Sequence, residues 1–175
     1  MNSSVSALTA LSPNVQAVAL PSATARTALE RLPSPLELKA RQPLPLELAS
    51  QVAASRDAIR AILDGDDPRL LVVVGPCSIH DPRSALEYAE RLAALSDELD
   101  GQLLLVMRAY VEKPRTTVGW KGLAYDPHLD GSDDMAAGLA LSRQLMLDML
   151  RLGLPLATIY AVNQVESNGQ GFLDN

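Results

Sequence analysis

At 175 residues the chain is long enough for one domain with a sizeable core, and its 47% apolar content excludes wholesale disorder. With 21 acidic against 15 basic side chains the net charge is −6, which argues against nonspecific nucleic-acid binding. A single cysteine rules out an intramolecular disulfide and fits a reducing compartment, and no apolar run reaches membrane-spanning length.

Residues 1–48 carry Pro13, Pro21, Pro33, Pro35, Pro43 and Pro45 without a sustained hydrophobic period. This predicts a Pro-rich arm, partly extended because the residue before each proline is steered away from helix. The arm is Ser-rich and free of acids until Glu30, but its first arginine is Arg26 and it lacks the basic start of a secretory signal. The expected location is the cytoplasm. Ser50–Leu63 predicts a helix with Val52, Ile59 and Ile62 on one face and Gly65 near its stop. A turn over Asp64–Pro68 leads into a first strand, Leu70–Val74, apolar on both faces as in a parallel sheet covered by helices.

Asp81 and Pro82 supply a helix N-cap and first position, Ala85, Tyr88, Leu92, Leu95 and Leu99 keep the period, and Asp100-Gly101 ends it. Leu103–Met107 reads as a second strand, followed by a long loop reaching Gly131. Ser132 or Asp133 opens another helix, with Met135, Leu139, Met146 and Met149 on one face and a stop at Gly153. Leu154–Ile159 reads as a third strand. Strand–helix–strand–helix–strand is the signature of a parallel α/β architecture. The remaining residues, 163–175, are polar and show no fourth unit.

In parallel α/β folds ligands bind beyond the carboxyl ends of the strands. Cys77 follows the first strand, Arg108 the second, and Thr158-Ile159 lies at the third. Cys77 reads either as a metal thiolate or as a small buried packing residue. His80 reads as the partner in a Cys–His nucleophile or as a helix-entry residue with a local hydrogen bond. His128, in DPHLD, reads as part of a metal loop or as a Pro-containing turn with solvated carboxylates. The most specific signal is cationic: Arg108, Lys113, Arg115 and Lys121 face only Glu112 within residues 108–121. Arginine offers a planar fork for phosphate or carboxylate and lysine a compact charge, so this segment suits small anionic groups; the alternative is a solvated basic loop. Neither GxxxxGK[ST] nor GxGxxG occurs.

Together GPCSIHD (75–81), MR (107–108), EKPRTTVGWKG (112–122) and DPHLDGS (126–132) closely resemble 3-deoxy-D-arabino-heptulosonate 7-phosphate synthases of the class I, short-chain bacterial and fungal type, over residues 20–158. The resemblance implies the N-terminal part of a (β/α)8 TIM barrel, the barrel incomplete. It divides the chain into an arm (1–48), the first part of the barrel (49–160) and a non-family tail (161–175). It implies condensation of phosphoenolpyruvate with D-erythrose 4-phosphate, the first step of the shikimate pathway. It also implies a divalent metal ion (Mn, Fe, Co or Zn) and assembly as a homo-oligomer. By this resemblance Cys77 is a metal ligand, Arg108 and the catalytic Lys113 contact phosphoenolpyruvate, Arg115 and Thr116 take the sugar phosphate, and Pro114 fixes the loop between them. It calls for a glutamate where this sequence has Ile159, and puts the other metal ligands past residue 175. Truncation after Thr158 is therefore expected, with a noncatalytic remnant as the alternative function and an unrelated phosphate-binding module as a third.

Overall fold

The computed structural model describes residues 31–113 and 119–158. Its elements run α1 (Pro35–Arg41), α2 (Leu46–Asp64), β1 (Leu70–Val74), α3 (Pro82–Leu99), β2 (Leu103–Arg108), α4 (Met135–Arg151) and β3 (Leu156–Ala157). The three strands form one parallel sheet in the order β1-β2-β3. That is the expected alternation, with β2 one residue longer and β3 shorter than the sequence predicts.

The part of the arm nearest the core differs from the extended reading. Ser34 caps α1, Pro35 sits where a missing N–H costs nothing, and Glu37 completes a capping box: Ser34 N–H donates to Glu37 Oε2 at 2.7 Å and Glu37 N–H to Ser34 Oγ at 3.2 Å. The proline that disfavours helix at Ser34 thus starts one at its own position. Leu38 on this helix joins the main core. Helix α2 begins four residues before the predicted Ser50 and ends at Gly65, whose φ of 85° favours glycine.

Val72 and Val74 pair with Leu105 and Met107 and pack with Ala85, Ala89 and Leu92 of α3 and Leu139, Leu145 and Met149 of α4. A second cluster joins Leu48 of α2 to Leu147 and Leu150 of α4. Three long-range hydrogen bonds fasten the N-terminal helices to α4: Arg143 Nε to the Gln42 carbonyl (2.8 Å), Gln42 Nε2 to the Ala140 carbonyl (3.1 Å) and Gln51 Nε2 to the Leu150 carbonyl (2.9 Å). The last adds a second donor to a helix-end carbonyl that also accepts from Gly153 N–H at 2.9 Å. β1 is less enclosed than its apolar sequence suggests. Leu70 and Val73 are 64% and 55% exposed, because β1 is an edge strand of the three-stranded sheet. Among the described residues, no helix is long and apolar enough to cross a membrane.

Candidate functional site

The sheet brings the segments after β1 and β2 side by side. At the end of β1 stands Gly75, where a Cβ would lie 2.7 Å from the Arg108 carbonyl oxygen and 2.9 Å from Arg108 Cβ. Only a residue without a side chain lets the two strand ends approach this closely. The loop that follows is stitched to the extension of β2 by Ile79 N–H donating to the Tyr110 carbonyl at 2.7 Å. Asp81 then caps α3, accepting from Arg83 N–H (2.9 Å) and the Ser84 hydroxyl (2.8 Å), which hold its carboxyl below the ordinary aspartate range.

Arg108 reaches back over this loop. One Nη2–H donates to the Cys77 carbonyl at 2.9 Å, and the guanidinium lies 5.4 Å from the Tyr110 ring centroid, within cation–π range. Its Nε is buried and makes no hydrogen bond, leaving a donor that an anion would satisfy. Lys113 comes from the same direction. Its Nζ donates to Cys77 Sγ at 3.1 Å, and this hydrogen bond, with the lysine charge and then Arg108, draws the Cys77 thiol below its ordinary pKa. Burial pushes the Glu112 carboxyl up, towards its neutral form, so the lone acid in the segment opposes the cations less than its sequence position suggests. The result is a thiolate-prone sulfur and two cations at adjoining strand ends.

The described part of the basic segment is closed at its base. Lys113 N–H donates to the Lys121 carbonyl at 2.7 Å, and Ala124 N–H to the Val111 carbonyl at 3.0 Å. Between them Gly122 has φ 118°, and a Cβ there would fall 2.5 Å from both Glu112 Cα and the Val111 oxygen. Trp120 Nε1–H donates to the Asp126 carbonyl at 2.8 Å, and Asp126 Oδ2 accepts from Gly131 N–H at 3.1 Å.

The structure thus unites Cys77, Arg108 and Lys113. Cys77 is exposed, not a packing residue. Its thiol partner is Lys113; His80 is exposed, and among the described residues no Cys77–His80 hydrogen bond forms. His128 is exposed, with Nε2 3.7 Å from Asp134 Oδ2, and among the described residues no three His, Cys, Asp or Glu side chains are placed to hold a metal ion. Lys121 contributes its backbone, its side chain being exposed. Pro114, Arg115 and Thr116, together with Ile159, lie outside the described residues. Asp126, read from the sequence as part of a metal loop or as a solvated carboxylate of the DPHLD turn, is instead buried and accepts from Gly131 N–H. Sequence reasoning missed Gly75 and Tyr110; the signal for Gly75 was a glycine directly after an apolar strand, and for Tyr110 there was none, since its role depends on contacts across the fold.

The chain matches the family described as the DAHP synthetase I family over residues 43–166, a span that starts later and ends eight residues past the Thr158 expected from the motifs. It is 60% identical over 127 residues to "Phospho-2-dehydro-3-deoxyheptonate aldolase, Tyr-sensitive" of Escherichia coli, covering 73% of this chain and 36% of that protein. Identity to the corresponding aldolase of Corynebacterium glutamicum is 52% over 129 residues, covering 74% of this chain and 35% of the relative. The solved aldolase structure from Francisella tularensis superposes with a TM-score of 0.75 at 39% identity, covering 85% of this chain and 42% of that one. The chain therefore spans little more than a third of the length of the curated relatives it matches.

Proposed function

Because this chain belongs to the DAHP synthetase I family, we propose that it carries the phosphoenolpyruvate side of the site for condensing phosphoenolpyruvate with D-erythrose 4-phosphate. The observation that carries this reading is the convergence of Arg108 and Lys113 over the loop holding Cys77. Arg108 and Lys113 hold the phosphate and carboxylate of phosphoenolpyruvate, and the unsatisfied Arg108 Nε supplies one of the donors. Arg115 and Thr116, with Pro114 between them and Lys113, take the phosphate of the sugar. Fixing two anionic reactants in attack geometry is the main contribution of such a pocket. Carbon 3 of phosphoenolpyruvate then adds to the aldehyde carbon, water adds at carbon 2, and inorganic phosphate leaves with its bridging oxygen.

Cys77 is offered as one donor to a divalent metal ion of the Mn, Fe, Co or Zn type. The described residues do not make a metal centre by themselves, since one thiolate hydrogen-bonded to a lysine falls short of the three or four protein ligands such centres use. The same reading places the chain in the cytoplasm, in keeping with a single cysteine, and as a homo-oligomer built on the first part of a (β/α)8 barrel.

A second reading keeps phosphoenolpyruvate binding without turnover, and is favoured by a described site that supplies two cations for the anion but only one candidate metal donor. Titration calorimetry with phosphoenolpyruvate, followed by phosphate release with both substrates and Mn²⁺, separates the two. Binding that Arg108→Ala or Lys113→Ala weakens at least tenfold, on the scale of a lost charged hydrogen bond, supports the site. Release above background supports catalysis, and binding without release supports the second reading. Absence of binding by the unaltered chain overturns both.

A further inference from the structure

The Lys113 ammonium sits on a long, freely rotating stem, so where it stands is decided by how firmly its backbone is held. The segment that precedes it is held by Ile79 N–H donating to the Tyr110 carbonyl at 2.7 Å. The other side depends on a ring of contacts that returns to Lys113 through Trp120. Lys113 N–H donates to the Lys121 carbonyl at 2.7 Å, next to Trp120 in the chain. The Trp120 indole packs against the main core, and its Nε1–H donates to the Asp126 carbonyl at 2.8 Å. Asp126 is buried; its own N–H donates to the Gly122 carbonyl at 3.0 Å, and its carboxylate accepts from Gly131 at 3.1 Å. Gly122 in turn lies against the backbone of Val111 and Glu112, so closely that no Cβ fits between them. The ring closes on the residue before Lys113.

We propose that Trp120 is a positioning residue for Lys113: its indole N–H, held by the Asp126 carbonyl, fixes the segment that pairs with the Lys113 backbone and so sets the ammonium at the Cys77 sulfur. This rests on the reading of Lys113 as a phosphoenolpyruvate contact. A tryptophan suits the task because one ring supplies both apolar packing and a directed donor. A displacement of about 1 Å at such a group is enough to cost about a hundredfold in rate when reactants must be aligned.

The chain contains one tryptophan, so its replacement reports on a single position. Biosynthetic replacement of Trp120 by benzothienylalanine keeps the bicyclic shape but substitutes sulfur for the N–H, while 7-azatryptophan keeps the N–H. The readout is phosphoenolpyruvate affinity by calorimetry, measured in the unaltered chain and in a Lys113→Met background. Benzothienylalanine and Trp120→Phe should weaken binding about tenfold, on the scale of a lost charged hydrogen bond, and 7-azatryptophan should restore it. In the Lys113→Met background the same replacement should change affinity less than about twofold, because the two residues act as one unit. Amide exchange in β1 and β2 should stay unchanged in all of them. If Trp120→Phe does not fold, the isosteric pair still decides the question. The proposal is overturned if benzothienylalanine leaves the affinity where it was, if 7-azatryptophan weakens it equally, or if the benzothienylalanine effect persists in full without Lys113. Absence of binding by the unaltered chain instead overturns the reading of Lys113 on which the proposal rests.

Discussion

Gly75 does at the scale of one residue what no other amino acid could do there. The Arg108 backbone would stand 2.7 Å from an added Cβ, and neither β1 nor β2 can give way without breaking the pairing of Val74 with Met107. Gly75→Ala should therefore destabilise the protein by about 1–3 kcal/mol, the usual cost of overpacking, in urea denaturation. Because the strain falls on Arg108, the proposed binding of phosphoenolpyruvate should weaken as well; a stability change under about 0.5 kcal/mol, typical of a surface site, would show that the strand ends are free to separate. Cys77 illustrates the opposite case. Its chemistry comes from a neighbour 36 positions away in sequence, Lys113, and not from its local motif.

Among the elements, the two ends of the sheet have separate tasks. The carboxyl ends gather the cationic site, while the opposite end is tied by Arg69. Its guanidinium joins Asp67, in the turn between α2 and β1, at 2.7 Å, and Asp100, at the close of α3, at 2.9 Å. The hydrogen bond from Arg69 holds the Asp67 carboxyl below its ordinary pKa. A carboxyl depressed in the folded state stabilises fully above its unfolded value, about 3.9, and loses that contribution as pH falls through the lower folded value. Asp67→Asn should thus lower the melting temperature at pH 7 and flatten its dependence on acid below about pH 4, as read from thermal melts across pH. An unchanged acid limb would place the pH dependence in other carboxylates. The capping box of α1 belongs to this scale too: Ser34, Pro35 and Glu37 announce a helix inside a stretch whose proline content suggests an arm.

For the whole molecule, the consequence of the strand order is an open edge. β1 is paired on one side only within the described sheet, with Leu70 and Val73 exposed. Unpaired N–H and C=O groups beside exposed apolar side chains make a template for self-association. The chain expressed alone should form soluble aggregates or precipitate, and Val73→Lys should reduce light scattering severalfold at equal concentration. A sharp cooperative melt of a monodisperse monomer would contradict this expectation.

Much of the architecture was legible before any coordinate. Apolar runs at Leu70 and Leu103, the Asp81-Pro82 start and the stop at Gly153 are local signals, and each element appeared within a few residues of its place. The motifs around Cys77, Arg108 and Lys113 likewise identified the family, because their order and spacing are properties of the chain itself. The sequence by itself determined the alternation of strands and helices and the chemical types available at the strand ends. Only the tertiary structure decided which of them meet. It set Lys113 against Cys77 in place of His80, put Tyr110 beneath Arg108, left Leu70 and Val73 of β1 exposed, and closed the basic segment through Trp120 and Asp126. The physical reason is that periodicity and capping act over a few residues, whereas hydrogen bonds and charge contacts between strand ends follow from sheet register, which appears nowhere in the local sequence.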